Sequence, residues 1–372
     1  MKKIILFLGV FYVGLVSAQG IEADINAIIE KAKTGNENAQ KTLGSYYYLG
    51  SNGVEQSYSK AAYWLERAAE QGDSDAQCKI GFCYNEGKGV EQSYSKAIYW
   101  YKRAAEQGNS VAQCNIGFCY NEGEGVEQSY SKAAYWWEKA AEQGNSVAQC
   151  NIGVCYSEGK GVEQSYSKAA YWYERAAEQG HSNAQYNIGV CYDEGKGVEQ
   201  SYSKAIYWYK KAAEQGNSDA QFNLGVCYRE GQGVEQSYSK AAYWWEKAAE
   251  QGHDDAQCNI GICYYEGKGV KQSYSKAAYW YKKAAEQGYS DAQFNLGVCY
   301  SDGEGVEQSY SKAIYWYKKA AEQGHSKAQY NIGVCYYNGD GVEKSKTNAI
   351  YWFRKACNNF EDKACEALNK IK

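Results

Sequence analysis

Residues 76–108 read AQCKIGFCYNEGKGVEQSYSKAIYWYKRAAEQG, and two helical patterns lie within this stretch. In the first pattern, Ala76, Ile80 and Tyr84 follow the spacing of one helix face. In the second, a similar face runs from Ala97 to Ala105. The stretch therefore predicts an antiparallel helix pair joined by a glycine-rich loop.

Local chemistry marks the ends of both helices. Gly87 can adopt the left-handed conformation that ends a helix, and the Ser93 hydroxyl can cap the next one. Gly81 lies inside the first helix, where glycine costs about 1 kcal/mol relative to alanine. This cost predicts that a neighbouring helix approaches Gly81 closely.

The same unit recurs along the chain with a fixed period of 36 residues. A decayed ninth copy, EKSKTNA, begins at Glu343, while Ile21–Lys33 and Ala364–Ile371 read as single helices at the two ends. A fixed period in this range predicts a solenoid, in which neighbouring repeats complete the core. The string QSYSKA begins at Gln56, Gln92, Gln128, Gln164, Gln200, Gln236, Gln272 and Gln308.

The constant positions form the pattern A-x-x-x-(I/L)-G-x-x-Y-x-x-G-x-G-V, then K-A-x-x-W, then A-A-x-x-G. This pattern resembles the Sel1-like repeat, a variant of the tetratricopeptide repeat, over residues 39–360. In one copy the matching residues are Ala112, Ile116, Gly117, Tyr120, Gly123, Gly125, Val126, Lys132, Ala133, Trp136, Ala140, Ala141 and Gly144.

The resemblance implies an all-α fold, a right-handed α-solenoid of about nine helix-pair repeats with capping helices at both ends. It also implies a scaffold that binds protein or peptide partners and is not an enzyme. We expect a capping helix in residues 19–38, the solenoid in residues 39–363 and a second capping helix in residues 364–372. A mechanical spacer or envelope-assembly element is an alternative function.

The N-terminus predicts export. Lys2 and Lys3 precede an apolar run from Ile4 to Val16, and small residues surround Ala18. This is typical of a secretory signal peptide in residues 1–18, cleaved after Ala18. We therefore expect a periplasmic or secreted protein with no membrane span after cleavage.

Composition limits the partners. The net charge is −4, with both signs interspersed, which disfavours nucleic acid as a partner. Aromatic residues make up 16% of the chain and recur in register, which predicts packing positions. No cofactor is expected.

The fourteen cysteines fall into three sets. Two sets lie five residues apart on one helix, too far along its axis for a disulfide, and are predicted to be small core residues. Resemblance to cysteine-rich, exported Sel1-like proteins implies a disulfide between the remaining two, Cys357 and Cys365. The first two sets are Cys83, Cys119, Cys155, Cys191, Cys227, Cys263, Cys299 and Cys335, and Cys78, Cys114, Cys150 and Cys258.

Other motifs suggest chemistry only weakly. Eight copies contain S-x-x-K, as at Ser57 and Lys60, an element of β-lactam-binding enzymes. We interpret Ser57 as a helix cap, and keep β-lactam binding or hydrolysis as an alternative because some cysteine-rich relatives have been linked to it. His181, His253 and His325 share one repeat position, match no zinc spacing and are predicted to be surface turn residues.

Three positions on the first helix of each repeat are candidates for partner binding. Resemblance to tetratricopeptide repeats implies that this helix lines a concave groove and that its asparagine grips a peptide backbone. Bonding within or between repeats is the alternative role for these asparagines. The asparagine ladder is Asn115, Asn151, Asn187, Asn223, Asn259, Asn295 and Asn331, with Lys79 in the odd copy. Among variable positions flanking the ladder, Arg229, Tyr265 and Tyr337 are the candidate specificity residues.

Overall fold

The computed structural model describes residues 18–371, with side chains from residue 24 onward. The predicted signal peptide therefore lies almost entirely outside the described residues. Within them the chain forms twenty α-helices and no strand. The helices are α1 (Ala18–Lys33), α2 (Glu37–Leu49), α3 (Tyr58–Gln71), α4 (Ser74–Glu86), α5 (Tyr94–Glu106), α6 (Ser110–Glu122), α7 (Tyr130–Glu142), α8 (Ser146–Glu158), α9 (Tyr166–Glu178), α10 (Ser182–Glu194), α11 (Tyr202–Glu214), α12 (Ser218–Glu230), α13 (Tyr238–Glu250), α14 (Asp254–Glu266), α15 (Tyr274–Glu286), α16 (Ser290–Asp302), α17 (Tyr310–Glu322), α18 (Ser326–Asn338), α19 (Lys346–Asn358) and α20 (Asp362–Ile371).

Helices pack in chain order. The chain divides into two compact units, one ending at Trp172 and the other beginning at Tyr173. Within each unit, a helix packs mainly against the helices before and after it. From α2 to α19, we call the even-numbered helices the first helices of the repeats and the odd-numbered ones the second helices. The prediction of an all-α solenoid of helix pairs is confirmed, while its handedness stays a prediction.

Glycine brings the two helices of a repeat together. A Cβ atom on Gly81 would lie 2.8 Å from the ring of Tyr101 on the second helix. The equivalent atom on Gly225 would lie 2.5 Å from Trp245. The predicted close approach is confirmed, and the glycine makes room for a buried aromatic ring.

The predicted helix ends are also confirmed. Ser93 precedes α5 and its hydroxyl accepts a hydrogen bond from the Lys96 amide. Gly87 ends α4 with a φ of 66°. The next loop glycine, Gly89, has a φ of 76°, and a Cβ atom there would lie 2.0 Å from the carbonyl oxygen of Tyr58. This loop therefore lies directly on the start of α3, the preceding second helix.

A buried glutamine links three helices at the repeat junctions within each unit. The Gln77 amide nitrogen donates to the Ala69 carbonyl at 3.0 Å, and its amide oxygen accepts from Gln107 at 2.8 Å. Gln77 thus connects the end of one second helix to the end of the next. The equivalent side chains are all 0–4% exposed. They are Gln40, Gln113, Gln149, Gln185, Gln221, Gln257, Gln293 and Gln329.

We expect Gln221→Met to destabilise the protein. The change removes the bond to the Ala213 carbonyl and leaves the Gln251 amide without its acceptor. Loss of a buried partner of this kind costs about 1–3 kcal/mol. Urea unfolding followed by circular dichroism should show a lower midpoint. Gln232→Met, at an exposed loop position of the same repeat, is the matched control. Equal midpoints for the two variants would contradict a stabilising role for the buried network.

Candidate partner-binding site on the first helices

The asparagine ladder lies on the first helices, but its side chains are not fully exposed. Asn115 is buried and the other six are half-buried. Each follows the buried Gln of its repeat by two positions and precedes a fully buried Ile or Leu. The ladder therefore lies at the edge of the core.

Several ladder asparagines contact neighbouring repeats. The Asn223 amide on α12 lies near the hydroxyls of Tyr186 on α10 and Tyr209 on α11, and the Tyr209 hydroxyl donates to the Asp193 carboxylate at 3.2 Å. Burial raises the pKa of both tyrosines, and the Asn223 amide opposes that increase. The Asn331 amide likewise opposes the increase in the pKa of Tyr317 that burial causes. These contacts favour the inter-repeat role that the sequence left open, and a role in binding stays a prediction.

Two other ladder positions behave differently. The side-chain nitrogen of Asn151 is buried without a hydrogen-bond partner. At the odd position, the Lys79 ammonium donates to the Ser45 hydroxyl of the preceding first helix at 2.9 Å. Burial lowers the pKa of Lys79. A long cation thus takes over the inter-repeat contact where asparagine is absent.

A cavity of about 340 Å³ opens between α12 and α14. It brings together two of the predicted residues, Arg229 and Asn259, and its lining also includes Trp245, Ile262 and Lys268. The other two specificity candidates do not line it. The neighbouring Glu304 carboxylate, together with burial, raises the pKa of Tyr265, and Tyr337 is 47% exposed.

Arg229 is positioned by two contacts. Its guanidinium carbon lies 5.5 Å from the Trp245 ring centre, and its Nε lies 2.6 Å from Glu230. Lys268 is likewise 2.7 Å from Glu266. The paired charges flank Ile262, which is 36% exposed and supplies the apolar surface, while Trp245 lies beneath it at 2% exposed. This arrangement suits an apolar side chain that enters between polar groups.

Sequence reasoning missed Trp245 and Ile262. Ile262 is the one isoleucine at a repeat position that otherwise holds valine or phenylalanine from Phe82 to Val334. Trp245 is one of two tryptophans at a position that otherwise holds tyrosine, phenylalanine or, in the first copy, Leu65. Comparing every position between repeats, rather than only the polar ones, would have pointed to both residues.

The S-x-x-K strings have a structural explanation. Ser93 caps α5, and the Lys96 ammonium lies 4.9 Å from the ring centre of Tyr84 rather than at the serine hydroxyl. The lysine therefore makes a cation–π contact with the first helix of its own repeat.

The histidines lie in turns, as predicted, but their rings are not exposed. His253 and His325 cap first helices through Nδ1, and their side chains are 13% exposed. Their rings stack on Phe222 and Phe294 at 4.7 and 4.6 Å. The prediction of surface residues was wrong because a histidine that caps a helix here also covers an aromatic ring of the preceding repeat.

The twelve repeat cysteines are all buried, as predicted for small core residues. Burial raises the pKa of Cys78 to about 12 and that of Cys263 to about 11. Thiols with such pKa values are almost wholly protonated at neutral pH and react slowly.

Cys357 and Cys365 connect the last two helices. Their sulfur atoms lie at bonding distance, with the Cα atoms 4.9 Å apart. The pair occupies the repeat positions of Ala69 and Gln77, where the other junctions hold the buried hydrogen bond. The geometry allows the disulfide implied by the resemblance, and the disulfide stays a prediction until the thiols are titrated.

A family model described as Sel1 repeat matches the chain nine times. The matched segments are residues 38–73, 74–109, 110–145, 146–181, 182–217, 218–253, 254–289, 290–325 and 326–359. The chain belongs to the Sel1 repeat family. The resemblance noted in the sequence is thereby confirmed.

Two solved structures are similar over most of this Sel1 repeat chain. One is a protective antigen of uropathogenic Escherichia coli, with 34% identity, a TM-score of 0.64 and coverage of 94% of this chain and 83% of that one. The other is a Sel1 repeat protein from Oxalobacter formigenes, with 32% identity, a TM-score of 0.62 and coverage of 87% and 96%.

A curated relative matches over a shorter stretch. It is the ERAD-associated E3 ubiquitin-protein ligase component HRD3A of Arabidopsis thaliana, 31% identical over 74 residues. The match spans 20% of this chain and 11% of that protein. Separately, among the described residues no helix has both the length and the apolar character that crossing a bilayer requires.

Thiol titration tests the cysteine assignment. At pH 8 without reductant, we expect the folded protein to react negligibly with a thiol reagent, because a pKa of about 11 leaves about one thiolate in a thousand. Denaturation should release the twelve repeat thiols, and reduction should add Cys357 and Cys365. Raising the pH towards 11 should speed the reaction of the folded protein. Fourteen reactive thiols before reduction would contradict the disulfide.

Proposed function

We propose that this chain is an exported, non-catalytic scaffold that binds protein or peptide partners along its first helices. The observation that carries the proposal is the cavity between α12 and α14. Membership of the Sel1 repeat family supports it, as does a curated relative that is a component of a larger enzyme assembly. Export to the periplasm or beyond rests on the N-terminal sequence pattern.

The cavity suits an anchor side chain of a peptide. Ile262 provides apolar surface above the buried Trp245, and Asn259 provides an amide that can both donate and accept. Arg229 is held at the rim by Trp245 and Glu230, so ordering it on binding costs little entropy. Apolar anchors in pockets edged by polar groups commonly dominate the binding energy of protein interfaces.

We expect the double variant Arg229→Ser, Ile262→Ser to lose partner capture. The test is a pull-down from envelope extract of the source cells by immobilised protein lacking residues 1–18, quantified by mass spectrometry. Capture of saturable partners should fall at least tenfold, which corresponds to about 1.4 kcal/mol. The helical circular dichroism signal should stay unchanged because the two side chains lie at the surface of the cavity.

The repeat itself supplies a matched control. Asn121→Ser with Val154→Ser changes the equivalent positions three repeats earlier, on α6 and α8. Equal partner capture by the two double variants would show that the cavity does not bind the partner. Absence of any saturable partner with the unaltered protein would favour the mechanical spacer.

The capture assay, combined with thermal unfolding, distinguishes a binding role of the asparagine ladder from a structural one. We expect Asn187→Ala, Asn223→Ala and Asn259→Ala, combined, to lower the thermal midpoint because Asn223 bridges repeats. If capture survives while stability falls, the ladder is structural. If capture falls while the midpoint is unchanged, the ladder grips the partner.

A further inference from the structure

Each second helix has one tyrosine whose side chain is more than half exposed to solvent. In the unit that begins at Tyr173, these side chains are 52–59% exposed. They occupy one repeat position, so the prediction that recurring aromatics are packing positions is wrong for them. The set is Tyr207, Tyr243, Tyr279, Tyr315 and Tyr351, and the other unit contains Tyr63, Tyr99, Tyr135 and Tyr171, which are 51–53% exposed.

Each exposed tyrosine ring packs against the tryptophan that follows it in the sequence. The ring centres of Tyr207 and Trp208 lie 4.9 Å apart at an angle of 75°, and Tyr243 lies 5.0 Å from Trp244 in the same edge-on arrangement. A tyrosine held in this way offers a large contact area and loses little conformational entropy on binding.

A cation accompanies each ring four residues later, on the same helix face. The ammonium groups of Lys211, Lys283 and Lys319 lie 4.9, 5.8 and 5.4 Å from the ring centres of their tyrosines. Lys247 lies 6.0 Å from Tyr243. The four repeats from Tyr207 to Tyr315 thus each present an aromatic ring and a positive charge together.

Charge is segregated between the two sets of helices in this unit. The second helices α11, α13, α15, α17 and α19 contain 14 basic and 5 acidic residues, a net charge of +9. The first helices α10, α12, α14, α16 and α18 contain 2 basic and 9 acidic residues, a net charge of −7. An acidic partner therefore matches the second helices and is repelled by the first ones.

The repeat spacing distinguishes between extended partners. The Gln287 amide at the end of α15 donates to the Gly252 carbonyl at the end of α13 at 3.0 Å, and Gln323 reaches the Gly288 carbonyl in the same way at 2.9 Å. Successive second helices therefore lie side by side, and their equivalent tyrosines are on the order of 10 Å apart. A polyproline II segment returns to the same face every three residues, about 9.3 Å. The side chains of a β-strand return to the same face every two residues, at about 6.7 Å. That spacing no longer matches the tyrosines after one repeat. Aromatic surfaces are also the usual docking sites of polyproline II segments.

We propose that the second-helix face from Tyr207 to Tyr315 binds an acidic polypeptide segment in the polyproline II conformation. The tyrosine rings pack against proline rings at every third residue, and the accompanying lysines pair with carboxylates. This site is independent of the first-helix cavity.

Fluorescence anisotropy with labelled peptides tests the proposal. The probe is a synthetic (Glu-Pro-Pro)n peptide of about 15 residues, which spans about 45 Å or four repeats at 3.1 Å per residue. A (Glu-Gly-Ser)n peptide has the same charge without the preformed helix, and a (Lys-Pro-Pro)n peptide has the opposite charge. We expect (Glu-Pro-Pro)n to bind at least tenfold more tightly than either of the other two.

Variants identify the surface. Tyr→Ser at positions 207, 243, 279 and 315 should weaken (Glu-Pro-Pro)n binding at least tenfold, and Lys→Glu at positions 211, 247, 283 and 319 should abolish it. Tyr→Phe at the same four positions keeps the rings and is the matched control, which should bind normally. The cavity variant Arg229→Ser, Ile262→Ser should also bind normally, so the two proposals fail separately.

Three results would overturn this proposal. If (Glu-Gly-Ser)n binds as tightly as (Glu-Pro-Pro)n, the face recognises charge alone and not the polyproline II conformation. Unchanged binding by the Tyr→Ser variant, with an unchanged circular dichroism spectrum, would place the site elsewhere. Binding of an acidic polysaccharide such as alginate in preference to (Glu-Pro-Pro)n would assign the face to a different class of polymer.

Discussion

The repeat architecture depends on one buried amide per junction. Ala69 and Ala76 lie beside Gln77 and are fully buried, so its amide sits inside the interface that sets the register of consecutive repeats. The glutamine provides that register because its donor and its acceptor need partners on two different second helices. An amide left unpaired in this environment is costly, so any shift of one repeat against the next is penalised.

Features set by local chemistry could be predicted from the sequence. Ser93, Gly87 and the interior Gly81 gave correct helix ends and a correct close approach because each acts on atoms nearby in the chain. Gln77 was missed because its partners lie 8 and 30 residues away, and a helical glutamine reads as a surface residue. Tyr207 was misread because periodicity shows that a position recurs and does not show which way it faces.

In the candidate sites, too, some residues could be predicted from the sequence and others became visible only in the folded structure. Arg229 and Asn259 were found through their polarity, while the apolar residues beside them became visible only when α12 and α14 were placed together. The Cys357–Cys365 pair was expected through resemblance. The structure adds a physical reason, since the pair occupies the positions of the alanine and glutamine that form the buried link elsewhere. The last junction thus replaces a hydrogen bond with a potential covalent one.

Because the junctions are built alike, the array can grow or shrink by whole repeats. Removing the 36 residues from 218 to 253 would bring Gln257 against the helix end that now holds Gln221, and the two surfaces would already fit. Gain or loss of a repeat therefore carries no new interface to optimise, unlike most insertions in globular domains. Such a chain can be matched to the length of its partner, and its avidity adjusted, while the buried glutamine link at the junction is kept.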